Sequence, residues 1–251
     1  MLKLKNITVT INKGSVLERP VLQNLALEVA KGEFVIIIGA NGTGKSTLFN
    51  TISGSVKPET GSIIIDNQLI NKCSESNRAS LIAKVVQDPK VGTIETMSIE
   101  ENLSFAFMRG KKRTLKLYSN EERKKLFRDK LTLLDMGLEN RLDDLVSNLS
   151  GGQRQALSLI MATLSDAKIL LLDEITAALD PKTAGLIMKL TQKIVVQEKR
   201  STIMITHNMS HALHYGDRTL LLANGNIFKE YSASEKTNLT AVQLAALFDE
   251  V

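Results

Sequence analysis

The stretch Phe34-Val35-Ile36-Ile37-Ile38-Gly39-Ala40-Asn41-Gly42-Thr43-Gly44-Lys45-Ser46 joins a wholly apolar run to a glycine-rich loop. Apolar residues without alternation predict a strand covered on both faces, as in the middle of a parallel sheet. The loop satisfies G-x-x-x-x-G-K-[ST] in the setting that pattern needs, with a buried strand before it and a helix over 45–54 after it. Glycines let the backbone curl so that successive N–H groups point inward at an anion. The helix start adds unpaired N–H groups and the positive end of its dipole. Lys45 is suited to bridge the β- and γ-phosphates of a nucleotide, and the Ser46 hydroxyl to ligate Mg²⁺; Thr47 is grouped with them at the phosphates. The competing reading is a glycine-rich turn that merely caps a helix. The strand before and the helix after weigh against it.

Working outward, the N-terminal side reads as strands over 2–11 and 21–29, the first alternating apolar and polar from Met1 rather than running apolar like a signal peptide. Further strands are expected at 62–66 and 83–87. From about 88 to 166 the texture turns helical and polar, as in 120–134. Two apolar strands follow, 168–172 and 202–205, separated by a helix over 181–197. A hairpin with Asn224-Gly225 at its tip, a dipeptide suited to the φ > 0 positions of a type I′ turn, closes the sheet. A short helix over 241–248 ends the chain. This predicts an α/β core (1–87 and 167–251) interrupted by a helical insertion (88–166), all within one domain.

Composition excludes several classes. The chain has 251 residues, 43% apolar and 24% charged, which is ordinary for a globular protein. The single Cys73 forbids an intramolecular disulfide and reads as a surface or half-buried thiol. Uncharged stretches such as 155–165 fall far short of the roughly 20 residues a spanning helix needs. The net charge of +5 with only 4% aromatic residues gives no basic stripe interleaved with rings, so nucleic acid is not expected as a partner. The densest basic cluster, Arg109, Lys111, Lys112, Arg113 and Lys116, reads either as a solvated loop or as a surface facing anionic lipid or a membrane partner.

Two other segments carry chemistry. Ile169-Leu170-Leu171-Leu172-Asp173-Glu174 is an apolar strand ending in two carboxylates. Ligands lie beyond the carboxyl ends of a parallel sheet, so both acids are expected beside the phosphate loop. There Asp173 would hold Mg²⁺ through a water and Glu174 would orient and polarise an attacking water. In Leu149-Ser150-Gly151-Gly152-Gln153, Ser150 and Gln153 have capping-box spacing at the head of an amphipathic helix through Leu157, Ile160 and Leu164. A helix start with two glycines and a serine is a second anion grip, about a hundred residues after the first.

These five residues, with the phosphate loop and the acidic pair in this order, resemble the nucleotide-binding subunits of ABC transporters. Gln87 before Asp88-Pro89 looks like the family's Q-loop glutamine, Ala178-Leu179-Asp180 like its D-loop, and His207 in Ile205-Thr206-His207-Asn208 like its switch histidine. The resemblance covers nearly the whole chain. It implies a P-loop NTPase (RecA-like) core with an antiparallel β subdomain and a helical insertion carrying the signature. It also implies ATP and Mg²⁺ as cofactors, with Gln87 joining Ser46 and Asp173 at the metal, His207 at the γ-phosphate and Asp180 at the nucleotide interface. ATP is then sandwiched in a head-to-tail homodimer, each molecule held by Gly39 to Thr47 of one chain and by Ser150, Gly151, Gly152 and Gln153 of the other.

Two departures from the family are visible. Where members place a ring on adenine, residues 8–17 contain none, so Ile11 or Val16 must supply apolar contact and adenine selectivity is expected to be weak. The residue after Glu174 is Ile175 where proline is frequent, from which a looser D-loop is expected. Three kinds of machine compete: the detached ATPase of an importer, the ATPase of an exporter or lipid-extracting system, and a soluble iron–sulfur, translation or repair ATPase. Only 61 residues lie between Gln87 and Leu149, too few for the coiled coil of repair members, and only one phosphate loop is present. The segment Gly92-Thr93-Ile94-Glu95-Thr96-Met97-Ser98-Ile99-Glu100-Glu101-Asn102-Leu103 resembles importer subunits where they receive a permease helix, and 151–157, 161–164 and 177–184 resemble importers of amino acids, aromatic ones among them. The expected partners are a permease and a solute-binding protein, and the expected place is the cytoplasmic face of the inner membrane, held there by the permease.

Overall fold

The computed structural model describes residues 1–111 and 120–247. The chain opens with β1 (Leu2–Ile11) and β2 (Arg19–Val29), then β3 (Phe34–Ile38) and α1 (Lys45–Ser53). After these come β4 (Thr60–Ile65), β5 (Gln68–Leu69), α2 (Glu75–Arg78) and β6 (Ile82–Val85). One sheet is antiparallel in the order β2-β1-β4-β5. Alternation along β1 turns Leu2, Leu4, Ile7 and Val9 inward, and these pack with Leu48, Phe49 and Ile52 of α1. That helix is covered on its other side by Val35 and Ile37 of β3, so it lies between two sheets and its first turn is held at a fixed place. Each of its three large apolar side chains is fully buried and stabilises this placement by about 1.5–3 kcal/mol.

From residue 88 to 166 the described residues hold helices and no strand: α3 (Pro89–Gly92), α4 (Ile99–Phe107), α5 (Glu121–Thr132) and α6 (Gly151–Thr163). Then come β7 (Ile169–Asp173), α7 (Pro181–Glu198), β8 (Ser201–Ile205), α8 (Met209–His214), β9 (Arg218–Ala223), β10 (Asn226–Ser232), α9 (Ala233–Lys236) and α10 (Ala241–Ala246). The second sheet runs β10-β9-β3-β8-β7-β6, parallel except for β10 against β9. Its first face meets α1; Ile36, Ile38, Leu170, Leu172 and Met204 on the other face pack with the helical segment. Asn224 (φ 48) and Gly225 (φ 74) make the expected turn of the closing hairpin.

Three expectations change. The helix headed by Ser150 is not amphipathic: every residue from Arg154 to Thr163 is buried, because α3, α4, α5, α7 and β6 enclose α6. The strand expected to reach Gln87 stops at Val85, leaving Gln87 exposed two residues beyond the pairing with β7. In the basic cluster, Arg109 is half-buried, with burial pushing its guanidinium pKa down, and the Lys111 ammonium sits 3.5 Å over the Phe107 ring. Lys112, Arg113 and Lys116 lie outside the described residues, as does Phe248 at the end of the final helix.

Arg78 is the largest fully buried side chain. Its guanidinium donates to the carbonyls of Thr51 and Ile52 (2.8 Å each) and of Cys73 and Asn71 (3.3 Å each). It thereby satisfies carbonyls at the C-terminal end of α1 that the helix leaves without partners. Arg78→Ala is expected to lower stability by roughly 2–4 kcal/mol, since buried carbonyls lose a charged donor. Urea unfolding followed by circular dichroism measures this, and a change under about 0.5 kcal/mol, typical of a neutral surface site, would contradict it.

Candidate functional site

Four strands of the parallel sheet release candidate residues at one edge. Ile37 of β3 is level with Ile205 of β8, and Ile205 with Asp173 of β7. The phosphate loop, His207 and the acidic pair therefore leave the sheet side by side, with Gln87 beyond β6 at the end of the row. This is the edge at which an open parallel sheet builds its ligand crevice.

The loop requires glycine at Gly44, the N-cap of α1. Its φ is 105°, and an added Cβ would lie 2.9 Å from the Val21 carbonyl and from Leu22. No side chain caps this helix, so the first N–H groups remain available to an anion. Lys45 is 6% exposed, and its ammonium donates to the carbonyls of Gly39 and Ala40 at 2.8 Å each. Burial pushes its pKa down, while the charges of Glu174 and Asp173 pull it back up. Thr43 donates to Ala40, Thr47 is half-buried within the helix, and Asn41, Gly42 and Ser46 stand exposed.

Glu174 occupies the left-handed region (φ 48), a strained position for a side-chain-bearing residue that costs about 1–3 kcal/mol and must be held by its surroundings. Its N–H donates to Ile205 at 3.0 Å, and the next residue, Ile175, is 2% exposed within the core. Ile175, from which a looser D-loop was expected, is itself anchored in the apolar core. Glu174 Oε1 lies 2.9 Å from His207 Nε2, which fits a donor N–H at that nitrogen. His207 is itself fixed: Thr206 donates to Ile37 of β3, and Asn208 caps α8.

Ser150 forms the capping box in full, accepting from the Gln153 N–H (3.3 Å) and donating its own N–H to Gln153 Oε1 (3.1 Å). A Cβ at Gly152 would lie 2.3 Å from Thr183 Cγ2 of α7, so any side chain there would have to displace the threonine, while Gly151 borders Leu179. Asp180 accepts from the N–H groups of Lys182 and Thr183 at 3.1 Å each, and hydrogen bonds from Thr183 hold its carboxyl below the ordinary range. These residues contact one another and α7. The structure thus brings Lys45, Asp173, Glu174 and His207 together, and places Ser150 to Gln153 and Asp180 in a separate exposed cluster.

Two neighbours were not singled out in the sequence. Lys84 of β6 lies 3.6 Å from Asp173. It is the one charge in Ile82-Ala83-Lys84-Val85-Val86, and a lysine inside an otherwise apolar strand is a readable anomaly. Arg19 pairs with Ile11 across β1 and β2 and lines a hollow of about 270 Å³ with Val21, Gln23, Asn41, Thr43 and Asn224. Val16 nearby is fully exposed.

Residues 22–177 match the protein family described as ABC transporter. The chain is 43% identical, over 99% of both chains, to a tyrosine transport ATP-binding protein of Clostridioides difficile (strain R20291). Among solved structures it resembles a dimeric ATP-binding cassette in a post-hydrolysis state with ADP and Pi bound (TM-score 0.79, 31% identical, 93% of this chain and 99% of that one). It is also similar to cbiO1 of Clostridium perfringens, part of the ABC transporter complex cbiONQ (TM-score 0.82, 27% identical, 96% and 92% covered).

Proposed function

The chain belongs to the ABC transporter family of ATP-binding ATP hydrolases, and from this premise we propose that it energises solute uptake through a separate permease. The observation that supports the reading best is the Glu174–His207 pair, held at 2.9 Å beside the buried Lys45. Phosphoryl transfer to water needs positioning and charge stabilisation more than covalent help. The loop N–H groups and Lys45 grip the phosphates. Glu174 orients the attacking water and draws on its proton, and His207 holds Glu174 in place and contacts the γ-phosphate. Ser46, Gln87 and Asp173 offer a hydroxyl, an amide oxygen and a carboxylate, a hard-oxygen set that fits Mg²⁺. When bound, Mg²⁺ supplies neutralisation of the phosphate charge.

Two chains pack head to tail in this reading, so that the Ser150 segment and Asp180 of one meet the phosphate loop of the other. Residues 1–87 and 167–251 form the α/β core and 88–166 the helical subdomain that faces the permease near Gln87 and the segment after it. Among the described residues no helix is long and apolar enough to cross a membrane, so attachment to one would run through the permease. The relative active in tyrosine transport favours an amino acid as cargo, delivered by a solute-binding protein. The test is uptake of labelled aromatic amino acids by cells that carry only the Glu174→Gln chain. Loss of uptake is expected, and normal uptake would overturn the proposal.

The base-binding side lacks a ring at residues 8–17. Ile11 and Val16 then give apolar contact without the roughly 1–3 kcal/mol that base stacking on an aromatic contributes. Competition binding is expected to show less than about a tenfold preference for ATP over GTP, which corresponds to 1.4 kcal/mol. A hundredfold preference would mean that another residue reads the base.

A further inference from the structure

Asp173 shares its surroundings with a second lysine that the mechanism above does not use. β6 alternates so that Ile82 faces the α1 side and Ala83 and Val85 the other, which points Lys84 toward α1. Lys84 pairs with Leu171 of β7, and Asp173 is the next residue of β7 on that face, a diagonal neighbour within reach of a long side chain. The Lys84 ammonium lies 3.6 Å from Asp173 Oδ2 and donates to Asn50 Oδ1 at 3.2 Å. Asn50 stands one helical turn after Ser46 on α1, so it lies on the same helix face. Both partners of the ion pair are largely shielded, with 26% of the lysine and 19% of the aspartate side chain exposed.

We propose that Lys84 is a resident counter-cation of Asp173 that weakens divalent-metal binding there and so makes metal loading depend on the nucleotide's phosphates. The proposal rests on the assignment of Ser46 and Asp173 to Mg²⁺. A fixed positive charge beside a metal-binding carboxylate opposes a dication in proportion to their proximity and the low polarisability of the surroundings. Without phosphates, the carboxylate's charge is answered by Lys84. With them, several added negative charges outweigh the lysine and the metal binds. Lys84 is therefore a positioning and tuning residue, not a catalytic one.

The test is Mn²⁺ binding by the full chain, read from the spin-resonance signal of the free ion, without nucleotide and with ADP under protein excess. Lys84→Met keeps the length and removes the charge, Lys84→Arg keeps the charge, and Lys84→Gln serves if the methionine variant does not fold. Removing the charge is expected to tighten Mn²⁺ binding about tenfold without nucleotide and less with ADP, whose phosphates already outweigh the lysine, whereas Lys84→Arg stays near the original value. Unchanged or weaker binding in the neutral variants would overturn the proposal. Asp173→Asn separates the two readings. If it weakens Mn²⁺ binding while Lys84→Met does not tighten it, only the role of Lys84 fails; if it changes nothing, the metal assignment fails and the proposal with it.

Discussion

Glu174→Gln is expected to lower ATP turnover at least about a hundredfold while leaving ATP binding near normal, since general-base assistance is typically worth 10²–10⁴-fold. The amide fills the same space and its oxygen still accepts from His207 Nε2, so the 2.9 Å contact survives. The strained backbone at φ 48 is held by the Ile205 carbonyl and by buried Ile175, neither of which the substitution touches. Only basicity is lost, and with it the pull on the attacking water's proton. Phosphate grip resides in Lys45 and the loop N–H groups, which are also untouched. Turnover by the intact transporter and equilibrium binding of ATP measure the two halves of this expectation. Near-normal turnover would remove Glu174 from the reaction.

A larger rearrangement is expected when the Glu174→Gln chain is sized by light scattering. With ATP and Mg²⁺ it should form a dimer; with ADP it should be monomeric. Ser150 is exposed, and its Oγ already accepts from the Gln153 N–H, so its own proton stays free to donate to a partner's γ-phosphate. The N–H groups of Gly151 and Gly152 at the head of α6 are likewise open. Each charge-assisted hydrogen bond contributes about 1.5–3 kcal/mol. Losing two of them at a site weakens association by at least about a hundredfold. Ser150→Arg puts a bulky side chain where the phosphate must pass and should leave monomer even in ATP. A dimer that persists in ADP and survives Ser150→Arg would show that a different surface joins the chains. Hydrolysis removes the group both chains hold, which is how turnover would open the dimer and move the permease.

The strand–loop–helix at residues 34–53 was legible because its rules are local: an apolar run, glycines where φ must be positive, and a helix directly after. The Ser150–Gln153 capping box was legible for the same reason, as its two partners are three residues apart. Strand ends were less legible. Val86 extends the apolar run toward Gln87, yet β6 stops at Val85, the last residue that pairs with β7, opposite Leu172. α6 differs from the amphipathic helix expected after Ser150 because enclosure from several sides leaves no periodic trace when Arg154, Gln155 and Ser158 are buried along with the leucines.

By itself the sequence determined the family motifs, their order and the nature of the ligand, since each motif is a short run whose geometry its own residues set. The tertiary structure alone decided how these runs combine. It levelled β3, β8 and β7 so that Lys45, His207, Asp173 and Glu174 meet. It twisted Glu174 into the left-handed region, joined Arg78 to the end of α1 across more than twenty residues, and set Lys84 against Asp173. The physical reason is common to all of these. They are contacts between segments far apart in the chain, made by sheet register and by burial against a shared core, and no local spacing of residue types encodes them.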